Sequence, residues 1–155
     1  MKYLIGIALI GLLASCFDNP GNEKATSALN DFSAANFEIH KKFVEDFQKG
    51  WNSMDVDLLG GLNTVDTVII NYTSNEILKV SFKDVNFWNS FFSQYNSLSW
   101  NFNSVSPISD TLNGVVVKSY SVNEMKNGET SKEKWAMFFY FNAENQLVKV
   151  DEYMK

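Results

Sequence analysis

Residues 134–153 read KWAMFFYFNAENQLVKVDEY, and this stretch decides the fold. An unbroken apolar run from Trp135 to Phe141 ends in a short polar segment, and a second extended run begins at Leu147. Two strand-like runs around a short polar loop predict a β-hairpin. Because the first run is apolar at both odd and even positions, we expect both of its faces to be covered, one of them by helices.

Strand alternation divides the first run between two faces. The two sets are, in order, Trp135, Met137, Phe139 and Phe141, and then Ala136, Phe138 and Tyr140. Helices can cover only one of these faces, and a contiguous exposed apolar patch usually marks an interface. We therefore expect the face of Phe138 and Tyr140, joined by Tyr120 on the neighbouring strand, to contact a second copy of the chain or another partner.

The segments before this hairpin predict further strands. Residues 115–125 are strand-like, and Asn127-Gly128 is a strong hairpin signal leading into residues 132–141. Residues 99–105 alternate in part, and residues 111–114 are expected to form a turn between these two strands. Together with the last hairpin they predict a four-stranded antiparallel meander.

Helical spacing dominates the first half of the chain. Ile39, Phe43 and Phe47 repeat at i, i+4 and i+8 and predict a helix over residues 35–50, with Gly50 as its stop. His40 lies at the edge of this stripe and is expected to have a plain helix-flank role. Asp55 is expected to cap a short helix over residues 56–62.

A strand and a third helix are predicted next. Residues 66–73 are β-branched and strand-like. The capping-box pattern from Ser81 to Asp84 predicts the start of a helix that carries an apolar stripe. The stripe consists of Val85, Trp88, Phe92 and Tyr95, thickened by Phe87 and Phe91. Helices followed by hairpins predict an α+β domain, with a curved antiparallel sheet wrapped around three N-terminal helices.

The amino terminus predicts a targeting segment. Lys2 precedes an apolar stretch over residues 3–14 that has signal-peptide length and is shorter than the roughly 20 residues of a membrane span. Leu13-Ala14-Ser15-Cys16 resembles the lipobox of bacterial lipoproteins, and Cys16 is the only cysteine. The resemblance implies cleavage before Cys16, lipidation there by acyl chains such as palmitate, and location in the bacterial cell envelope. The predicted parts are a signal peptide (1–15), a tether (16–34) and one domain (35–155).

Composition excludes several classes of site. With Cys16 lipidated no thiol remains, and one histidine cannot supply a metal-ligand set, so we expect neither metal nor cofactor. No glycine-rich phosphate loop is present in the sequence. The chain has 13 basic and 18 acidic residues and no arginine, which disfavours nucleic-acid binding.

The order of elements resembles the nuclear transport factor 2-like (NTF2-like) superfamily, which includes polyketide cyclases and ketosteroid isomerases. The residues that carry it are 47–55, the helix around Phe87-Trp88, and 135–153. The resemblance implies a cone-shaped fold over residues 35–153. Isomerase-like members place a tyrosine on the first helix and carboxylates inside the cone, and cyclase-like members use a His or Asp there. This chain has no tyrosine between Phe37 and Trp51.

Three functions remain open at this point. The surplus of aromatic residues favours non-catalytic binding of a small apolar ligand or a peptide inside the cone. The expected pocket residues are Phe47, Trp51, Trp88, Phe92, Trp100, Tyr120 and Phe139. The same rings could instead fill a dry core, which would favour a structural or assembly partner acting through the sheet face.

An acid–base enzyme is the third alternative. Its candidates are Asp151 or Asp66 together with Tyr120 or Tyr153. The acids of the strands mostly lie at strand ends or beside lysines, which disfavours catalysis. They are Asp66, Asp110, Glu124, Asp151 and Glu152. A buried carboxylate next to a tyrosine inside the cone would favour an enzyme.

Overall fold

The computed structural model describes residues 34–74, 76–109 and 112–154. The predicted signal peptide, Cys16, the tether as far as residue 33, and Asp110 lie outside the described residues. Within them the chain forms three helices and six strands. In chain order these are α1 (Ala34–Ser53), α2 (Val56–Gly60), β1 (Thr64–Tyr72), β2 (Ile77–Val80), α3 (Val85–Phe92), β3 (Tyr95–Ser109), β4 (Leu112–Met125), β5 (Thr130–Phe141) and β6 (Leu147–Met154).

The six strands form one sheet in the order β2-β1-β6-β5-β4-β3. Strands β3 to β6 are the predicted antiparallel meander. Two features differ from the prediction: β2 was missed, and β1 pairs with β6 in parallel rather than antiparallel. The predicted α+β architecture, a curved sheet with helices packed against it, is confirmed, and the sheet has six strands.

Helix α1 continues past its predicted end. Gly50 does not end the helix but lies inside it. A Cβ at this position would come within 2.9 Å of Cδ2 of Leu59 on α2, so the glycine permits the close packing of the two helices. The chain leaves the helix at Met54, where φ is 52°. Asp55 then caps α2, as predicted, and its Oδ1 accepts a hydrogen bond from the Leu58 backbone N–H at 2.9 Å.

The cap of α3 lies three residues later than predicted. Asp84, rather than Ser81, is the N-cap, and its Oδ1 accepts hydrogen bonds from the N–H groups of Asn86 and Phe87. Tyr95, which the helical spacing assigned to this helix, is the first residue of β3.

The turn predicted over residues 111–114 is also corrected. Leu112 already begins β4, so Asn113 and Gly114 are strand residues. A Cβ on Gly114 would collide with the Phe139 carbonyl oxygen, so this glycine serves close strand packing. The Asn127-Gly128 prediction is confirmed: Gly128 has φ +87°, and its N–H donates to the Met125 carbonyl.

The two faces of the sheet follow the predicted alternation. Met137, Phe139 and Phe141 are buried on the helix-covered face, which we call the inner face. Phe138 and Tyr140 lie half-buried on the opposite, outer face. None of the helices in the described part of the chain is long and apolar enough to cross a membrane.

Helix α1 is also fixed to the edge strand β3. Asn52 accepts a hydrogen bond from the Trp100 backbone N–H at 2.7 Å, and its Nδ2 donates to the Trp100 carbonyl at 2.9 Å. Gln48 donates to the same carbonyl at 2.6 Å. The Asn52 amide therefore pairs with β3 as a neighbouring strand would.

Candidate functional site

A cavity of about 530 Å³ lies where the parallel strands β1 and β6 both end. We call it the end cavity. It is lined by Asn71, Tyr72, Thr73, Glu76, Ile77, Lys149, Asp151, Glu152 and Tyr153. Its size falls within the range of small-molecule sites, about 300–1,000 Å³, and its wall mixes rings with carboxyl, amide and amino groups.

The parallel register places a carboxyl group beside a tyrosine on the inner face. Tyr72 of β1 is the register partner of Glu152 of β6. The pair two residues earlier, Ile70 and Val150, faces the core with Val150 buried. Strand alternation puts Tyr72 and Glu152 on the same face as these two. Thr73 fixes the strand ends, because its Oγ1 donates to the Glu152 carbonyl at 2.9 Å.

Two more ionisable groups of the inner face are linked to this pair, Tyr95 through Tyr72 and Glu133 through Tyr95. Tyr95 begins β3, and Glu133 belongs to β5 on the side of Trp135. Tyr72 interacts electrostatically with Tyr95 and with Glu152, and Tyr95 interacts with Glu133. All four side chains are partly buried. We call Tyr72, Tyr95, Glu133 and Glu152 the carboxyl–tyrosine cluster.

Burial shifts the pKa values of this cluster toward the neutral forms. It raises the pKa of the Glu152 carboxyl to about 7, and it raises the pKa of Glu133 as well. The pKa values of Tyr72 and Tyr95 rise for the same reason, with smaller contributions from the neighbouring acids. Glu152 therefore changes between a proton donor and a carboxylate near neutral pH.

The outer side of the end cavity is held by an ion-paired network. Asp151, 8% exposed, accepts a hydrogen bond from Asn71 at 2.7 Å and forms an ion pair with Lys149 at 2.9 Å. Lys149 also lies 5.0 Å from the centre of the Tyr140 ring. Burial and the Asp151 carboxylate raise the pKa of Tyr140 to about 12. Asp151 is thus occupied by its partners, whereas the Glu152 carboxyl has no such ion pair among residues 34–74, 76–109 and 112–154.

Six of the seven predicted pocket residues come together in the packed interior. Trp51 is partly buried, and the other five are buried: Phe47, Trp88, Phe92, Trp100 and Phe139. Their rings contact one another, with centroid distances of 5.5 Å for Phe47–Trp100 and 6.4 Å for Trp51–Trp88. Tyr120 does not join them, because it pairs with Lys134 on the outer face.

Of the sequence-derived acid–base candidates, Asp151 and Tyr153 both line the end cavity, whereas Asp66 and Tyr120 do not. Asp66 has a side chain that is 99% exposed, and it lies 3.7 Å from Lys83. Asp151 and Tyr153 belong to the outer face, as does Tyr120. On the inner face, the Trp135 Nε1–H donates a hydrogen bond to Ser121 Oγ at 3.1 Å.

His40 lies at the other end of the sheet and is fully buried, rather than at the edge of the helix stripe. Its ring stacks on Phe141 at 3.9 Å, and its Nε2 is 2.8 Å from Asn145 Oδ1 in the β5–β6 turn. Burial lowers the pKa of His40, and the Asn145 hydrogen bond partly offsets this. These contacts indicate a structural role for His40.

The sequence-based prediction did not identify the carboxyl–tyrosine cluster. Glu152 was grouped with acids at strand ends, and Tyr72 was not considered. A signal existed: Glu152 has the same parity as Val150, so alternation from a core position places it inside. No group of three or more His, Cys, Asp or Glu residues in the described part of the chain is arranged to hold a metal ion.

No protein-family model matches the chain, and no curated protein matches it. Solved structures do. The epoxide hydrolase/cyclase-like enzyme SalBIII, described in pyran ring formation in the polyether salinomycin, superposes with a TM-score of 0.62 at 14% identity, covering 76% of this chain and 92% of that one. An NTF2-like protein of unknown function from Exiguobacterium superposes with a TM-score of 0.59 at 11% identity, covering 73% of this chain and 98% of that one.

A SnoaL-like protein of unknown function from Burkholderia thailandensis gives a TM-score of 0.57 at 12% identity, covering 81% of this chain and 99% of that one. At these identities the likeness establishes the fold and not the activity. The neighbours include both enzymes and proteins of unknown function. The chain has the NTF2-like fold.

Proposed function

We propose that this protein is a lipid-anchored domain that binds a small, mostly apolar molecule with one polar group in the end cavity. The observation that carries the proposal is the cavity of about 530 Å³, whose lining includes Tyr72 and Glu152 beside outer-face residues such as Asp151 and Tyr153. Six of the seven predicted aromatic residues pack against one another, which supports a ligand site beside the core rather than within it.

The polar contact falls to the Glu152 carboxyl and the Tyr72 hydroxyl. Below its pKa of about 7 the Glu152 carboxyl is protonated and donates a hydrogen bond. A carbonyl oxygen on an otherwise apolar ligand is the complementary group. Above this pKa the carboxylate repels a carbonyl oxygen, so binding weakens as the pH rises.

A ketone with an environment-sensitive fluorophore tests this. We expect 6-propionyl-2-dimethylaminonaphthalene to bind at one saturable site, with affinity falling several-fold between pH 6 and pH 8. Glu152→Gln is neutral at both values and should bind with no such pH dependence. Asp66→Asn, which alters an exposed carboxylate, should keep the parental profile. A parental affinity that does not change with pH would contradict the proposal.

An acid–base enzyme is the second candidate, favoured by a carboxyl group with a pKa near 7 next to a tyrosine. In this mechanism the Glu152 carboxylate takes a proton from the carbon next to a carbonyl. The Tyr72 hydroxyl donates a hydrogen bond to the developing enolate oxygen, and the proton returns from Glu152 to carbon.

The same ketone distinguishes the two functions. In deuterated buffer an enzyme of this type exchanges the α-protons of the propionyl group, which mass spectrometry detects. Glu152→Gln should abolish the exchange, and Tyr72→Phe should slow it about 10²-fold or more. Binding without exchange above the buffer rate supports the non-catalytic function.

The anchor is the remaining part of the proposal. Its support is the single cysteine at the position that the Leu13-Ala14-Ser15-Cys16 pattern requires. Two or more acyl chains hold a protein stably on a bilayer, whereas one binds marginally. Cys16→Ser should release the chain from membranes or leave an uncleaved precursor. A variant that fractionates and migrates like the parent would show that Cys16 carries no lipid.

A further inference from the structure

The outer face of the sheet has a charge opposite to that of the chain as a whole. Strand registers place five lysines on it and two carboxylates, although the chain has 13 basic and 18 acidic residues. The lysines are Lys79, Lys118, Lys132, Lys134 and Lys149, and the carboxylates are Glu124 and Asp151. Because Lys149 and Asp151 pair with each other, four lysines and one carboxylate, Glu124, remain, an excess of three positive charges.

These four lysines are available to a partner. Lys79, Lys118, Lys132 and Lys134 are exposed, and within the described residues none of them forms an ion pair. The continuous β4–β5 register sets Tyr120 opposite Lys134 and Ala136 opposite Lys118, so each of these lysines lies across from an uncharged side chain of the neighbouring strand.

Aromatic and aliphatic side chains fill the space between the lysines. Phe138 and Tyr153 are in edge contact at 5.6 Å, and Tyr140 lies beside Lys149. Tyr153 is 48% exposed, and Ile77 is 65% exposed at the margin of the same face. Tyrosine rings with lysines whose stems lie along apolar surface are typical of groups at a lipid headgroup layer.

The helix side of the molecule has the opposite charge. Its exposed acids are Glu38, Glu45, Asp55, Asp57 and Asp84, and its exposed lysines are Lys42, Lys49 and Lys83, so this side has a small acidic excess. A body that is basic on one face and acidic on the other orients on an anionic surface with the basic face inward. Self-association through the outer face would instead set the lysines of one copy against those of the other, because a two-fold interface brings the same patch together.

We propose that the outer sheet face lies against a membrane surface rich in anionic lipid headgroups, with the helices pointing away from it. The inference rests on the proposed anchor at Cys16 for proximity to the membrane. Residues 17–33 separate Cys16 from α1 and span at most about 60 Å when fully extended, which lets the face reach the bilayer. The face supplies orientation, and the anchor supplies attachment.

The test uses the full chain reconstituted into vesicles, either wholly zwitterionic or containing one third anionic lipid. Ser104→Cys places a fluorophore on the outer face beside Lys118 without removing a lysine, and Ser90→Cys places one on α3 as the matched control. Both serines are exposed. Quenching by neutral acrylamide reports access from water.

We expect the label at position 104 to be shielded in anionic vesicles and accessible in zwitterionic ones, while the label at position 90 stays accessible in both. Replacing Lys118, Lys132 and Lys134 by Gln should reduce the docked-to-undocked ratio on the order of a hundred-fold, at about five-fold per lysine. The same changes at Lys41, Lys42 and Lys49 of α1 leave it unchanged. High salt should weaken the shielding as the triple variant does.

Equal access to position 104 in both vesicle types overturns the proposal. Shielding that is the same in zwitterionic vesicles and grows with protein density also overturns it, because a second copy then covers the face. Loss of the anchor is detected separately, since an unanchored chain does not float with zwitterionic vesicles. If the chain is unanchored, flotation with anionic vesicles tests docking of the outer face. Co-flotation supports docking, and absence of co-flotation refutes it.

Discussion

The two ends of the sheet place ionisable groups in similar surroundings and use them differently. At the turn end, beside the β5–β6 turn, His40 is stacked on Phe141 and bonded to Asn145. At the other end, Glu152 borders a cavity beside Tyr72. Burial favours the neutral form of both groups, so it lowers the pKa of His40 and raises the pKa of Glu152.

The opposite shifts give opposite dependences of stability on pH. The folded-state pKa of His40 is below its unfolded value of 6.5, so its contribution weakens as the pH falls below about 6.5. The folded-state pKa of Glu152 is above its unfolded value of 4.5, so its contribution weakens as the pH rises from about 4.5 to about 7. The comparison shows that burial alone does not mark a functional group. The accessible cavity beside Glu152 is what supports its proposed role.

The largest effect on stability is expected from truncation of the Phe141 side chain at the turn end. Phe141 is fully buried between the His40 ring and the edge of Phe43. Phe141→Ala should lower the free energy of unfolding by about 3–5 kcal/mol in urea titrations. Phe138→Ala on the outer face is the control and should cost less. If folded Phe141→Ala protein loses ketone binding, the separation of structural and ligand-binding ends is wrong.

Glu152→Gln should raise the free energy of unfolding above neutral pH, whereas Phe141→Ala lowers it. The variant removes a carboxylate that burial disfavours, so at pH 8 it should be more stable than the parent by at most about 3 kcal/mol. At pH 4 the two should be nearly equal, since both side chains are then neutral. Urea titrations across this range measure the difference, with Asp66→Asn as the exposed control. Equal stabilities at pH 8 would show that Glu152 is not buried enough to be perturbed.

The elements that the sequence predicted best are those with strong local patterns. The aromatic run of β5, the Asn127-Gly128 turn and the Asp55 cap each depend on neighbouring residues. Strand β2 was missed because Ile77–Val80 has only four residues and is defined by pairing with β1. Gly50 was misread since its role is contact with Leu59 in another helix, which no local pattern contains.

The site was harder to predict than the fold because it depends on register between distant segments. Tyr72 and Glu152 are neighbours only through the parallel pairing of β1 and β6. The sequence favoured large aromatic residues as pocket walls, but rings such as Phe47 and Trp100 contact each other and occupy the interior. Aromatic content predicts a core reliably, and which rings face a cavity is settled by packing.

The smallest expected effect concerns the turn that His40 holds. Asn145 combines two roles, because its Oδ1 bonds His40 at 2.8 Å and its φ is +56°, a left-handed conformation. Asn145→Gly suits that φ and removes only the hydrogen bond, so it should cost about 1 kcal/mol. Asn145→Ala also introduces strain and should cost about 1 kcal/mol more. In both variants the pKa of His40 should fall further, because the lost hydrogen bond raises it in the parent.

Two measurements separate these contributions. Urea titration at pH 8 gives the order parent, Gly variant, Ala variant, and NMR of the single histidine gives its titration in each protein. Since the folded-state pKa falls further in the variants, they should also lose stability more steeply than the parent as the pH drops below 6.5. Equal costs for Gly and Ala would remove the strain argument. An unchanged His40 titration would show that Asn145 does not hold the ring, and the turn end would then owe its stability to the Phe141 stack alone.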